Sequence, residues 1–155
     1  MLHMTVLIFT DGSCDHYDDR RPGGWAFIIL HKNKEYSNAN GCLRTTNNQQ
    51  ELNAILEALW ELNVLELNED EWVILCTDSE WSLKCLTREY DCTKKQKKTG
   101  KVGGHVAWLD AIWAKMSDYK KFEYMKVPAH ACNVMNKRVD AMSLEKMEWA
   151  RANLR

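Results

Sequence analysis

The order of apolar patterns along the chain predicts an α/β fold, a five-stranded mixed sheet covered by helices. Three observations carry this reading. Short apolar runs of strand length recur at Val6-Leu7-Ile8-Phe9, Gly24 to Leu30 and Trp72 to Cys76. Between the third and fourth strands the period changes to the 3-4 spacing of a one-sided helix, at Leu52, Ile55, Leu56, Leu59 and Leu62. Strands and helices then alternate to the end of the chain, which suits helices packed on a sheet.

Taken in order, the first strand spans Thr5 to Thr10 and the second Gly24 to Leu30. The turn His31-Lys32-Asn33-Lys34 leads into an antiparallel third strand near Glu35 to Leu43. A helix starts at Asn48, with Asn47 or Asn48 as its cap. The fourth strand ends at Thr77-Asp78-Ser79, a short helix covers Glu80 to Leu86, and a lysine-rich loop follows. Val106 to Met116 forms a helix, Phe122 to Val127 the fifth strand, and Asn133 to about Asn153 the last helix. Connections through helices should be parallel and right-handed.

The 155 residues suit a single domain spanning 1–155. With 45% hydrophobic and 28% charged residues the balance is that of a globular chain. No apolar run approaches the ~20 residues of a membrane span, so no membrane partner is expected. The few residues before the first strand are too short for a secretory signal, and the expected location is cytoplasmic. None of the six cysteines forms a C-x-x-C pair; a zinc site is not expected, and all six are read as reduced thiols. The net charge of −1 excludes a broadly basic nucleic-acid binder. Yet Lys94, Lys95, Lys97, Lys98 and Lys101 lie within eight residues, beside Gly100, Gly103 and Gly104. This is either a solvated loop or a local phosphate-binding patch.

Chemistry is concentrated in acids. Asp11 is expected at the end of the first strand and Asp78 at the end of the fourth; if these strands are parallel neighbours, both side chains emerge at one sheet edge, where α/β sheets gather ligands. Glu51 falls in the first turn of the helix on that sheet, and Asp140 near the start of the last helix. Each has an ordinary alternative. Asp-Gly and Asp-Ser form turns, an acid suits a helix N-terminus, and Asp140 alone is an ordinary helix surface residue. Four converging acids without basic partners would repel one another unless cations neutralise them. Oxygen-only ligands favour Mg²⁺ or Mn²⁺.

The residues around these acids resemble the motifs of type 1 ribonuclease H. Thr10-Asp11-Gly12-Ser13-Cys14 is similar to the family's first-strand motif, Thr45-Thr46-Asn47-Asn48-Gln49-Gln50-Glu51-Leu52 to its first-helix motif, and Thr77-Asp78-Ser79 to its fourth-strand motif. His130-Ala131 followed by Asn136-Lys137-Arg138-Val139-Asp140 resembles its last motif. The motifs stand in family order across nearly the whole chain.

The resemblance implies a ribonuclease H-like fold, with strand order 3-2-1-4-5 and the first three strands antiparallel. It implies an endonuclease that hydrolyses the RNA strand of RNA–DNA hybrids with two Mg²⁺ ions (Mn²⁺ as substitute), leaving 5′-phosphate and 3′-hydroxyl ends. Asp11, Glu51, Asp78 and Asp140 become the metal ligands, with Asp11 bridging both ions, Glu51 and Asp78 on the leaving-group ion, and Asp140 on the water-activating ion. His130 becomes a proton-handling histidine. Cys14, Thr46, Asn47 and Asn48 match positions that touch the hybrid, and the lysine loop with Lys94, Lys95, Lys97 and Lys98 resembles a shortened basic handle. A monomer is expected. Three features depart from the pattern: Asp15 to Pro22 replaces a Gly-Asn-Pro-Gly turn, Glu80 stands where many relatives have Gln, and Cys132 stands where the loop after His130 usually has its second glycine. The rival readings are another nuclease on this fold, such as a resolvase, and a catalytically silent hybrid-binding module. The Thr and Asn residues before Glu51 speak against the first, and the complete set of carboxylates against the second.

Overall fold

A computed structural model describes residues 5–67, 70–91, 105–127 and 134–155. The strands are β1 (Thr5–Cys14), β2 (Gly23–His31), β3 (Lys34–Cys42), β4 (Trp72–Thr77) and β5 (Lys121–Lys126). The helices are α1 (Asn47–Leu62), α2 (Glu80–Leu86), α3 (Val106–Met116) and α4 (Val134–Asn153). The five strands form one sheet in the order β3-β2-β1-β4-β5. β1 pairs antiparallel with β2, and β2 with β3. β4 pairs parallel with β1, and β5 parallel with β4.

The β2–β3 turn places Lys32 and Asn33 at φ 50° and 60°. Two successive left-handed residues suit the right-handed twist of a tight hairpin. The period-two alternation of the strands separates two cores. Val6, Ile8, Phe27, Ile29, Val73 and Leu75 face α1 and α3, where they meet Leu52, Ile55, Leu59, Leu109 and Ile112. Phe9, Ala26, Ile28, Cys76 and Val127 face the other way and pack with Val139 of α4. α4 lies against the sheet at backbone distance. A Cβ on Gly24 would overlap the Ser143 carbonyl oxygen, and one on Gly41 the Lys146 carbonyl oxygen.

Two sequence expectations are corrected. β1 does not end at Thr10 but runs to Cys14, because β2 continues to pair with it as far as Cys14↔Gly23 after β4 has diverged beyond Phe9↔Cys76. Asp11 is therefore inside a strand. The cap of α1 is neither Asn47 nor Asn48 but Thr46, whose extended backbone (φ −132°, ψ 161°) suits a β-branched residue. Its hydroxyl oxygen accepts a hydrogen bond from the Gln49 N–H at 3.1 Å, and Asn47 and Asn48 occupy the first turn.

Candidate active site

Asp11 has the strand parity of Phe9 and so belongs to the face covered by α4. Asp11 and Asp78 each follow the last parallel pair, Phe9↔Cys76, by two residues, and their carboxyl groups meet just past the end of β4. Glu51 arrives from the opposite layer, and Gly12 lets it do so. A Cβ at Gly12 would overlap the Gln50 carbonyl carbon and the Glu51 amide nitrogen, so a side chain there would hold α1 away from β1.

The result is a tight carboxylate cluster. Asp11, Glu51 and Asp78 each offer an oxygen such that all lie within 4.8 Å of one another. Asp11 and Glu51 are both 4% exposed. Asp140, exposed on the second turn of α4, lies outside that set but acts on it: its carboxyl raises Asp11 and its charge raises Asp78. Burial, then the charge of Asp78 and the Asp140 carboxyl, push Asp11 up to about 8. Burial raises Glu51 well above the usual carboxylate range, with the Asp11 and Asp78 charges adding to it. Asp78 is raised by burial and then by Asp140. The Gly12 N–H donates to Asp11 at 2.9 Å, a single dipole against several acids.

This donor set fits divalent cations. It is all oxygen, it lacks a cationic side chain as ion-pair partner among the described residues, and Glu51 Oε2 is buried without a hydrogen-bond partner among them. Asp11, Glu51 and Asp78 would hold one ion between them, with Asp140 able to join.

The expected substrate contacts gather on the α1 side. The Cys14 thiol donates to the Thr45 carbonyl at 3.5 Å, next to the capping Thr46. Asn47 is exposed and Asn48 half-buried at the start of α1. Glu80 is not an isolated charge: it pairs with Lys84 at 3.2 Å and Lys126 at 3.6 Å. Cys14, Cys42, Cys76 and Cys85 are free thiols. His130 and Lys94, Lys95, Lys97, Lys98 and Lys101 lie outside the described residues.

Comparison with known proteins decides what this geometry belongs to. The RNase H family model matches residues 3–148. The chain belongs to the RNase H family. Within that family it is 33% identical over 141 residues to the ribonuclease H of Granulibacter bethesdensis, covering 89% of each chain. It is 31% identical over 150 residues to the ribonuclease HI of Caulobacter vibrioides, covering 94% of each. Among solved structures, RNase H1 from the archaeon Halobacterium salinarum superposes with a TM-score of 0.72 at 19% identity, over 94% of this chain and 99% of the other. LC11-RNase H1 in complex with an RNA/DNA hybrid gives 0.75 at 20% identity, with the same coverages. At these identities the superpositions establish the family fold, with the strand order expected from the sequence.

Proposed function

We propose that this chain is an endonuclease that hydrolyses the RNA strand of RNA–DNA hybrids, leaving 5′-phosphate and 3′-hydroxyl ends, with two Mg²⁺ ions held by Asp11, Glu51, Asp78 and Asp140. The observation that carries the reading is the meeting of Asp11, Glu51 and Asp78 within 4.8 Å, in a chain of the RNase H family. Bound divalent ions supply an activated water and a counter-charge for the leaving oxygen. The protein's part is to fix geometry. Asp11 stands on a rigid strand, Asp78 at the end of its neighbour, Glu51 on α1 and Asp140 on α4. Four separate elements thus hold the acids against their mutual repulsion.

Cys14 at the end of β1 and Thr46, Asn47 and Asn48 at the start of α1 would grip the hybrid's backbone and minor groove. Such contacts read groove shape and 2′-hydroxyls rather than sequence. Lys94, Lys95, Lys97 and Lys98 add phosphate contacts, and His130 handles protons. His130→Ala should slow turnover by about 10²–10⁴-fold without ending it; an unchanged rate at saturating substrate would assign His130 a purely structural role.

The test of the whole reading is incubation with a labelled RNA–DNA hybrid, an RNA duplex and a DNA duplex, with and without Mg²⁺. Cleavage confined to the RNA of the hybrid and dependent on the metal is expected. Metal-independent cutting, or equal cutting of all three, would overturn it.

A further inference from the structure

The loop between β1 and β2, Asp15 to Pro22, is the most acidic departure from the family pattern, yet Asp15 and Asp18 are spoken for, and of its acids only Asp19 is exposed without an ion-pair partner among the described residues. Arg151, near the end of α4, reaches Asp15 at 2.7 Å, Asp18 at 3.1 Å and Glu148 at 3.0 Å. Arg20 pairs with Asp18 at 3.2 Å and donates to the Arg151 carbonyl at 3.1 Å. Backbone bonds close the loop, from the Asp15 N–H to the Pro22 carbonyl at 2.9 Å and from the Arg21 N–H to the Asp18 carbonyl at 2.8 Å.

Arg21 is left over. It is exposed, and it has no ion-pair partner among the described residues. Its backbone is held at φ 44°, a left-handed conformation that costs a non-glycine residue energy and persists only where the surroundings enforce it. The enforcement is visible. The Arg21 carbonyl accepts from the Thr45 N–H at 3.2 Å, and the preceding Arg20 carbonyl from the Arg44 N–H at 2.7 Å. The loop is thereby sewn to the segment that starts α1. Thr45 joins this loop to Cys14, because its N–H donates to the Arg21 carbonyl at 3.2 Å and its own carbonyl accepts from the Cys14 thiol at 3.5 Å.

We propose that Arg21 contacts a backbone phosphate of the hybrid next to Cys14, and that Arg151 is the positioning residue that holds the loop so that Arg21 faces it. This rests on the hybrid-cleaving function proposed above. The brace explains how an acidic loop serves a polyanion: Arg20 and Arg151 neutralise Asp15 and Asp18 and turn them into scaffolding for Arg21. A planar guanidinium suits phosphate oxygens.

Steady-state cleavage of a labelled RNA–DNA hybrid, and its equilibrium binding in EDTA across a salt series, test the proposal. Arg21→Ala should raise KM and Kd by about two- to fivefold with kcat retained. It should lower the slope of log binding constant against log salt by about one unit. Arg21→Lys should recover most of both. Arg151→Ala should reproduce the KM rise, and should add none in the Arg21→Ala background. Wild-type KM, Kd and slope in Arg21→Ala would overturn the phosphate contact while leaving an active hybrid nuclease, so the wider reading would survive. A further KM rise from Arg151→Ala in the double variant would overturn its positioning role. A wild-type chain that neither binds nor cuts the hybrid would overturn both readings together.

Discussion

Two groups of acids lie a few residues apart on the chain and behave oppositely. Asp11 is buried with other carboxylates and pushed up to about 8. Asp15 and Asp18, just beyond the same strand, are held below the usual carboxylate range, Asp15 chiefly by its hydrogen bond from Arg151 and Asp18 by the Arg20 N–H and then its guanidinium. The first group lacks a cationic side chain among the described residues and calls for an external cation. The second has its cations built in. An acidic residue's role is therefore set by whether the fold brings it a base, not by its place in an acidic stretch.

The contrast breaks most sharply at Asp11. Asp11→Asn should reduce cleavage by about a thousandfold or more, yet in chelator it should melt no lower than wild type, since the neutral amide replaces a carboxyl that burial already holds protonated at neutral pH. Activity within tenfold of wild type would take Asp11 out of the metal site. Next comes Gly12. A methyl group there must displace the start of α1, which should cost about 1–3 kcal/mol of stability and lower kcat by moving Glu51; a Gly12→Ala protein with unchanged melting and rate would show that the close approach is dispensable.

A third comparison uses pH in the metal-free protein. Asp11 has a raised folded value, so its contribution is fully present below its ordinary 3.8 and is lost as pH rises toward about 8. Unfolding curves in chelator should show stability falling from about pH 5 to pH 8, and added Mg²⁺ should reverse the fall because metal binding displaces protons. A flat profile in chelator would mean that neither burial nor the neighbouring carboxylates raise Asp11. Asp15 and Asp18 act in the other direction: their lowered values stabilise above pH 3.8, and that contribution disappears as pH drops through the folded value. The smallest effect follows from this. Asp18→Asn should leave melting at pH 7 almost unchanged, as exposed pairs contribute little, but should blunt the acid limb of the profile. An acid limb identical to wild type would show that the brace is electrostatically idle.

The catalytic end of the sheet was legible because local patterns fix it. The alternation through Phe9 gives Asp11 its face, and the 3-4 spacing from Leu52 gives α1 its buried side. The strand's true end at Cys14 was not legible, since it depends on pairing with Gly23, which no local pattern shows. The Thr46 cap was missed because four residues able to cap, Thr45 to Asn48, stand in a row and the backbone angle chooses among them. The brace was out of reach for a deeper reason. Arg151 and Asp15 lie at opposite ends of the chain, and only the docking of α4 on Gly24 and Gly41 makes them neighbours. Glu80 followed the same rule: its partner Lys126 comes from β5.

That docking of α4 has a kinetic consequence. The four acids come from the first strand, the first helix, the fourth strand and the last helix, so the set is whole only after the most distant parts of the chain have met. Contacts of such separation form slowly during folding, since a long loop must close before they repay it. A chain refolding from denaturant should regain its helices and much of its sheet before all four acids stand together, so the last increment of divalent-metal affinity, the one that Asp140 adds, should arrive with the seating of the last helix.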